Sequence, residues 1–154
     1  MPYEPKLKDF PRIRNSVKFY KVSSYVTGVM LLLLVCEMVL KYGFSREAFA
    51  FSQDGFLALE PVTRLADGTM GSISTGVNLS ILVLIVHGWL YVVYLFVDFR
   101  LWSLMRWPFW RFLLIALGGV IPFLSFIMEA LTARYVYRYL AAREAAARTP
   151  EVTH

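Results

Sequence analysis

The stretch Leu79-Ser-Ile-Leu-Val-Leu-Ile-Val-His-Gly-Trp-Leu-Tyr-Val-Val-Tyr-Leu-Phe-Val97 decides the fold class, because it contains no Lys, Arg, Asp or Glu. A helix rises about 1.5 Å per residue, so a run of this length crosses the ~30 Å hydrocarbon core of a bilayer. His87 stands in its middle. An ionisable side chain at that depth is a functional-site hypothesis by default.

Outward from this run, apolar windows at 22–40, 77–97 and 112–131 are each long enough to cross a membrane. The mean hydropathy of +0.55 supports the same class. We therefore predict an all-α membrane protein with three transmembrane helices, a long first loop and a helical C-terminal extension. Its parts are a basic cytoplasmic N-terminal arm (1–21), a three-helix membrane domain (22–131) and a helical tail (132–154), ended by Pro150.

Charge predicts the orientation. Residues 1–21 carry six Lys and Arg side chains against two acidic ones, whereas the loop 41–76 carries three against four. By the positive-inside rule we expect the N-terminus to be cytoplasmic and the loop to lie outside. One conflict remains, because three crossings would also put the arginine-rich tail outside.

The sequence contains no motif of a known catalytic class: no phosphate-binding glycine loop, nucleophile elbow or zinc-binding HExxH. Cys36 is the single cysteine, and the second histidine, His154, is the last residue. A single His ligand completed by a partner chain is left open. We expect no enzyme activity, cofactor or metal, and no nucleic-acid partner.

The first loop holds two short apolar runs around Ser52-Gln-Asp-Gly55. This pattern predicts a small hairpin or a segment lying at the membrane interface. Such a long loop is expected to make contacts outside the membrane.

Small residues and proline mark helix contacts, since they permit close approach or interrupt a helix, and Pro122 predicts a bend. The candidates for helix packing are Ser24, Gly28, Gly88, Gly118, Gly119 and Pro122. Aromatic and cationic side chains between the second and third windows predict a belt at the headgroup level. Its members are Trp102, Trp107, Trp110 and Arg106.

A polar face follows the second helix at helical spacing, and the carboxylates of Glu37 and Glu129 are expected at a similar depth in parallel first and third helices. The predicted intramembrane polar network comprises His87, Tyr91, Tyr94, Asp98, Glu37, Glu129 and Asn78. It could relay a proton or hold a cation. Alternatively it is structural, with Glu37 pairing with Lys41 and Glu129 with Arg134 or Lys41.

Several motifs together resemble a family of small three-helix integral membrane proteins of actinobacteria, classed as a domain of unknown function. They are Arg12-Ile-Arg14, Tyr25–Leu34, Met38-Val-Leu-Lys-Tyr42, Val86-His-Gly-Trp-Leu-Tyr91-Val-Val-Tyr-Leu95, Arg106-Trp107, Ile121-Pro-Phe-Leu-Ser-Phe126 and Glu129. The resemblance covers about residues 12–135 and implies three spans with His87-Gly88 at the core, but no known activity. This chain departs from it in a longer first loop, the N-terminal arm and the alanine-rich tail.

Three functions remain open. The first is a non-catalytic accessory subunit packed against other integral membrane subunits and lipids, with an actinobacterial respiratory supercomplex as an example of a host. The second is a small oligomeric proton-coupled transporter in which His87, Glu37 and Glu129 line the path. The third is a lipid or quinone binding module that uses Trp102, Trp107 and Trp110.

Overall fold

The computed structural model describes residues 4–148 and is mostly helical. After a single 3-10 turn at Leu7–Asp9, the order of elements is α1 (Phe10–Gly43), β1 (Arg46–Ser52), β2 (Gly55–Pro61), β3 (Thr63–Arg64), β4 (Met70–Gly71), β5 (Val77–Asn78), α2 (Leu79–Met105), α3 (Phe109–Leu117) and α4 (Leu124–Arg148). The predicted tail is thus helical as far as Arg148, while Pro150 and His154 lie outside the described residues.

Two helical segments, Leu7–Gly43 and Leu79–Met105, are long and apolar enough to cross a membrane by length and composition. The first contains the predicted span 22–40, and the second contains the predicted span 77–97 except for its first two residues, which form β5. The basic arm predicted at 1–21 is helical from Phe10 onward and continuous with α1.

The chain divides into two compact units, Met1–Gly28 with Tyr91–His154 (unit 1) and Val29–Leu90 (unit 2). The buried core of unit 1 includes three stripes at helical spacing: Phe10, Ile13, Val17 and Tyr20 on α1, Tyr94, Leu101 and Met105 on α2, and Ala133, Val136 and Leu140 on α4. Apolar residues three and four apart lie on one face of a helix, so these stripes are the packing faces.

In unit 1, α4 runs antiparallel to the beginning of α1. Lys21 pairs with Glu129 (Nζ to Oε1, 3.5 Å), and Arg14 pairs with Glu144 (Nη2 to Oε2, 2.8 Å). The later residue of α1, Lys21, thus contacts the earlier residue of α4, Glu129, as in antiparallel helices. The expectation that the first and third helices run in the same direction is therefore wrong.

The predicted third span, 112–131, is two helices rather than one. The segment Gly118–Phe123, here called the helix break, separates α3 from α4. Pro122 has no N–H to continue the helix, and Phe123 has a left-handed φ of 67°. The nine residues of α3 rise only about 13 Å. That is about half of the ~30 Å that a transmembrane helix must cross.

Unit 2 contains a small antiparallel sheet in the order β2-β1-β5, so the all-α prediction is corrected to a mostly helical chain with a sheet in the first loop. The predicted hairpin is confirmed, with Arg46 opposite Pro61 and Ser52 opposite Gly55. The chain turns at Gly55, whose φ of 137° is a backbone conformation that residues other than glycine rarely adopt. A second antiparallel pair of short strands, β3 with β4, lies later in the same loop.

Candidate functional site

Tyrosine hydroxyls of α2 donate hydrogen bonds to carbonyl groups at the end of α3. Tyr94 Oη donates to the carbonyl oxygen of Ile115 (2.6 Å), and Tyr91 Oη donates to that of Ala116 (3.2 Å). Each carbonyl also accepts a backbone N–H just beyond α3, Ile115 from Gly118 (2.9 Å) and Ala116 from Gly119 (3.1 Å), so the tyrosine hydroxyl is its second donor. These two side chains of the predicted polar face therefore serve as caps for an interrupted helix.

A reciprocal pair of serines holds the beginning of α4 to α1. Ser24 Oγ donates to the carbonyl oxygen of Ser125 (3.1 Å), and Ser125 Oγ donates to that of Ser24 (2.9 Å). Both side chains are buried. Ser125 was absent from the sequence prediction, and the only signal for it was the small-residue spacing of Ser24 and Gly28 on the facing helix.

Three predicted packing glycines lie at close approaches. A Cβ on Gly119 would stand 2.5 Å from the ring of Tyr91, one on Gly118 would stand 2.9 Å from the carbonyl oxygen of Ile115, and one on Gly28 would stand 2.9 Å from the ring of Phe126. Gly88 differs, because nothing lies within 4 Å of its Cβ position. The close approach expected at Gly88 is not made by any residue in the described range 4–148.

The seven residues of the predicted polar network fall in both units. Glu37, Asn78 and His87 belong to unit 2, whereas Tyr91, Tyr94, Asp98 and Glu129 belong to unit 1. Glu37 accepts a hydrogen bond from Ser80 Oγ (2.9 Å), and Asn78 caps the start of α2 by accepting from the Ile81 N–H (3.1 Å). His87 is buried. The pairings expected for Glu37 and Glu129 are replaced by Ser80 for the former and Lys21 for the latter.

Asp98 is fully buried in unit 1, and neither carboxylate oxygen hydrogen-bonds to a residue in the described range 4–148. Tyr94 lies one turn before it, with its ring centroid 5.9 Å from that of Tyr20. Such a buried acid is costly to ionise without a partner. It is the most unusual polar group in the described part of unit 1.

The members of the predicted headgroup belt differ in how deeply they are buried. Trp107 is buried, with the Arg111 guanidinium 5.0 Å from its ring centroid, whereas Trp110 and Arg106 are exposed. Trp102 donates its indole N–H to the carbonyl oxygen of Pro108 (3.3 Å). The belt as a whole stays a prediction, and Trp107 belongs to the protein core.

In unit 2, an ion pair that sequence reasoning missed joins the end of α1 to β1. Lys41 Nζ lies 2.6 Å from Glu47 Oε1, and Glu47 Oε2 accepts the Ser72 N–H (3.0 Å). Burial acts to raise the pKa of Glu47, but the hydrogen bond and charge of Lys41, together with Ser72, outweigh it and hold the pKa below its usual value. The charge on Glu47 is therefore balanced within the chain.

Near that pair lies a cavity of about 430 Å³, here called the Glu37 cavity. Its polar lining is Glu37, Lys41, Glu47, Ser72, Asn78 and Ser80, and most of the rest is apolar. The volume falls in the range of small-molecule sites. No group of three or more His, Cys, Asp or Glu side chains able to hold a metal ion occurs within residues 4–148.

These features define a mostly helical protein with two helices long and apolar enough to span a membrane, and with a small antiparallel sheet. Residues 17–134 match the family model described as a domain of unknown function, DUF3817, and the chain belongs to that family.

The curated relatives are mycobacterial. The chain is 25% identical over 121 residues to the uncharacterized protein ML1176 of Mycobacterium leprae, covering 79% of this chain and 75% of the relative. It is also 25% identical over 118 residues to the uncharacterized protein Rv1342c of Mycobacterium tuberculosis, covering 77% and 73% respectively. No solved structure matches. The resemblance to an actinobacterial family of unknown function is thereby confirmed, without an activity attached to it.

Proposed function

We propose that this chain is an integral plasma-membrane protein that crosses the bilayer twice, through α1 and α2, and inserts α3, the helix break and the start of α4 as a re-entrant hairpin. Two observations in unit 1 support this: α3 is too short to cross, and α4 turns back along α1. Backbone without regular structure at membrane depth must be enclosed by protein. The tyrosine caps and the serine pair hold the two ends of the break against α2 and α1.

Charge supports the same topology. Arg14 pairs with Glu144, and Glu4 pairs with Arg143 (3.0 Å), so the two ends of the described chain lie on one side. The basic N-terminal segment and the arginines of α4 then both face the cytoplasm, as the positive-inside rule prefers. Three full crossings would put them on opposite sides.

Labelling of introduced cysteines in intact cells tests this topology. On a Cys36→Ser background, a membrane-impermeant maleimide is expected to label Asp54→Cys in the hairpin and to leave Ala142→Cys in α4 unlabelled until the cells are permeabilised. Labelling of both positions in intact cells would establish three crossings and refute the re-entrant hairpin. Labelling of Ala142→Cys alone would refute the proposed orientation.

In this membrane setting the chain acts as a non-catalytic accessory subunit. The observation that carries this role is the Trp89 face of α2, formed by Leu82, Ile85, Gly88 and Trp89 on one side of the helix. Trp89 lies near the middle of the apolar run, and 72% of it is exposed. Tryptophan prefers the headgroup level, and a buried indole N–H needs an acceptor. A neighbouring helix that packs on this face would supply one.

Gly88 strengthens the argument, because open space surrounds its Cβ position beside the exposed indole. A small residue in a membrane helix lets another backbone approach closely. We assign the face to a helix of a different membrane subunit. The respiratory supercomplex expected from the sequence is one assembly that would supply such a helix.

Purification of the full chain in mild detergent, with mass spectrometry of the co-purifying chains, tests this role. Trp89→Leu is expected to lower recovery of the partner subunit at least about tenfold, as loss of a hot-spot tryptophan does. Trp110→Leu is the matched control, since it removes an exposed tryptophan outside the face and should leave recovery unchanged. A lone monomer, a homodimer without another chain, or equal recovery with Trp89→Leu would refute the role.

A further inference from the structure

The Glu37 cavity lies within unit 2, where α1 ends and α2 begins. Its apolar wall runs along both helices and is completed by the loop, with Leu34, Met38, Leu65, Met70, Ile81 and Leu84 as its members. Its polar side chains gather at the helix ends. In a membrane helix, the ends lie at the headgroup level and the preceding turns lie against acyl chains.

The charges in the cavity do not balance. Lys41 is already paired with Glu47, which also accepts a hydrogen bond from Ser72. Glu37 accepts a hydrogen bond from the neutral Ser80, and no cation within residues 4–148 lies in an ion pair with it. The two carboxylates and one ammonium leave one negative charge in the cavity.

We propose that the Glu37 cavity binds a phospholipid whose headgroup carries a primary ammonium, as in phosphatidylethanolamine. The ammonium donates to Glu37, which can only accept. An acyl chain lies against Leu34, Met38 and Leu84. A primary ammonium fits better than choline, because quaternary ammonium groups are bound by aromatic cages, and Tyr42 is the single aromatic residue in the lining.

This inference rests on the membrane location proposed above but is independent of the number of crossings and of the partner subunit. The maleimide experiment tests the topology, whereas lipid retention by the solubilised chain tests the cavity. The failure of one therefore leaves the other intact.

Native mass spectrometry of the full chain, presented with equal amounts of phosphatidylethanolamine, phosphatidylcholine and phosphatidylglycerol, provides the test. We expect phosphatidylethanolamine to be retained preferentially. Glu37→Gln preserves an acceptor for Ser80 but removes the charge, and should lower that retention about tenfold, the effect of losing one hydrogen bond to a charged group. Asp54→Asn is the matched control, because it removes an exposed acid of the hairpin outside the cavity.

Leu84→Trp provides a second variant that leaves Glu37 in place and fills the apolar wall. It should lower retention of phosphatidylethanolamine as well, while the thermal unfolding temperature shows that the chain is folded. Equal retention of the three lipids by the unmodified chain would overturn the proposal. So would unchanged retention of phosphatidylethanolamine by either Glu37→Gln or Leu84→Trp.

Discussion

The helix break and the Glu37 cavity satisfy polar groups in opposite ways. At the break, every identified partner is neutral: tyrosine hydroxyls cap carbonyls, and two serines exchange hydrogen bonds with the backbone. Beside the cavity, a buried carboxylate is held by an ammonium and a backbone N–H. Neutral donors suit hydrocarbon depth, where charge is costly, whereas a paired charge is tolerable near the headgroups.

The largest effect on stability is expected for the ion pair of Lys41 with Glu47 at the Glu37 cavity. Lys41→Met leaves Glu47, whose side chain is 2% exposed, without its cation. Breaking a buried pair from one side costs about 3 kcal/mol, so the free energy of unfolding should fall by about that amount. Denaturant titration of the purified chain, followed by tryptophan fluorescence, would measure it. Lys18→Met changes the same charge at an exposed position and should stay within about 0.5 kcal/mol.

The next effect is steric and lies at the helix break. Gly119→Ala would place a Cβ 2.5 Å from the Tyr91 ring, and overpacking of this kind costs about 2 kcal/mol. Gly88→Ala is the control, because its Cβ meets open space and alanine favours a helix. Equal unfolding temperatures for the two variants would show that the break is loosely packed.

A smaller effect is expected from the serine pair. Ser24→Ala and Ser125→Ala should each lower the free energy of unfolding by about 1 kcal/mol, the scale of hydrogen bonds between membrane helices. In the double variant the loss should be smaller than the sum, because both changes remove the contact between the two hydroxyl oxygens (2.9 Å). Strict additivity would contradict a direct interaction between the two hydroxyls.

The smallest effect is a pH dependence specific to unit 2. The folded-state pKa of Glu47 lies below its ordinary value of 4.5, so its contribution to stability is complete above that pH. It is lost as the pH falls through the folded-state pKa. Unfolding temperatures measured from pH 7 down to pH 3 should therefore drop less for Glu47→Gln than for the unmodified chain. A parallel pair of curves would mean that Glu47 does not contribute.

Composition and periodicity were enough to predict the helices, because the runs around Val35 and His87 are apolar over many turns. The hairpin also followed from local signals, since Asp54-Gly55 separates two apolar strands. The direction of α4 could not be predicted, because a Gly-Gly and a proline inside an apolar window are compatible with either a bend or a reversal. The contacts of α1 with α4 distinguish them, from Arg14 with Glu144 to Ser24 with Ser125.

The candidate site was harder to predict than the fold. Glu37 was expected to contact other polar groups, and it does accept a hydrogen bond from Ser80. The pairing of Lys41 with Glu47 was missed because Glu37, one helical turn before Lys41, was the expected partner. Only the fold of the loop brings Glu47 close to Lys41. The tyrosines were expected to form a polar face. Their acceptors could not be predicted, because the sequence did not indicate that α3 ends at Leu117.

The tyrosine caps have a consequence for biogenesis. The carbonyls of Ile115 and Ala116 take their second hydrogen bonds from hydroxyls of α2, and the carbonyl of Ser125 accepts one from a hydroxyl of α1. In the proposed topology, a hairpin that entered hydrocarbon before these helices would lack those donors. Its insertion is therefore expected to follow theirs, so that α1 and α2 form the surface on which the hairpin assembles.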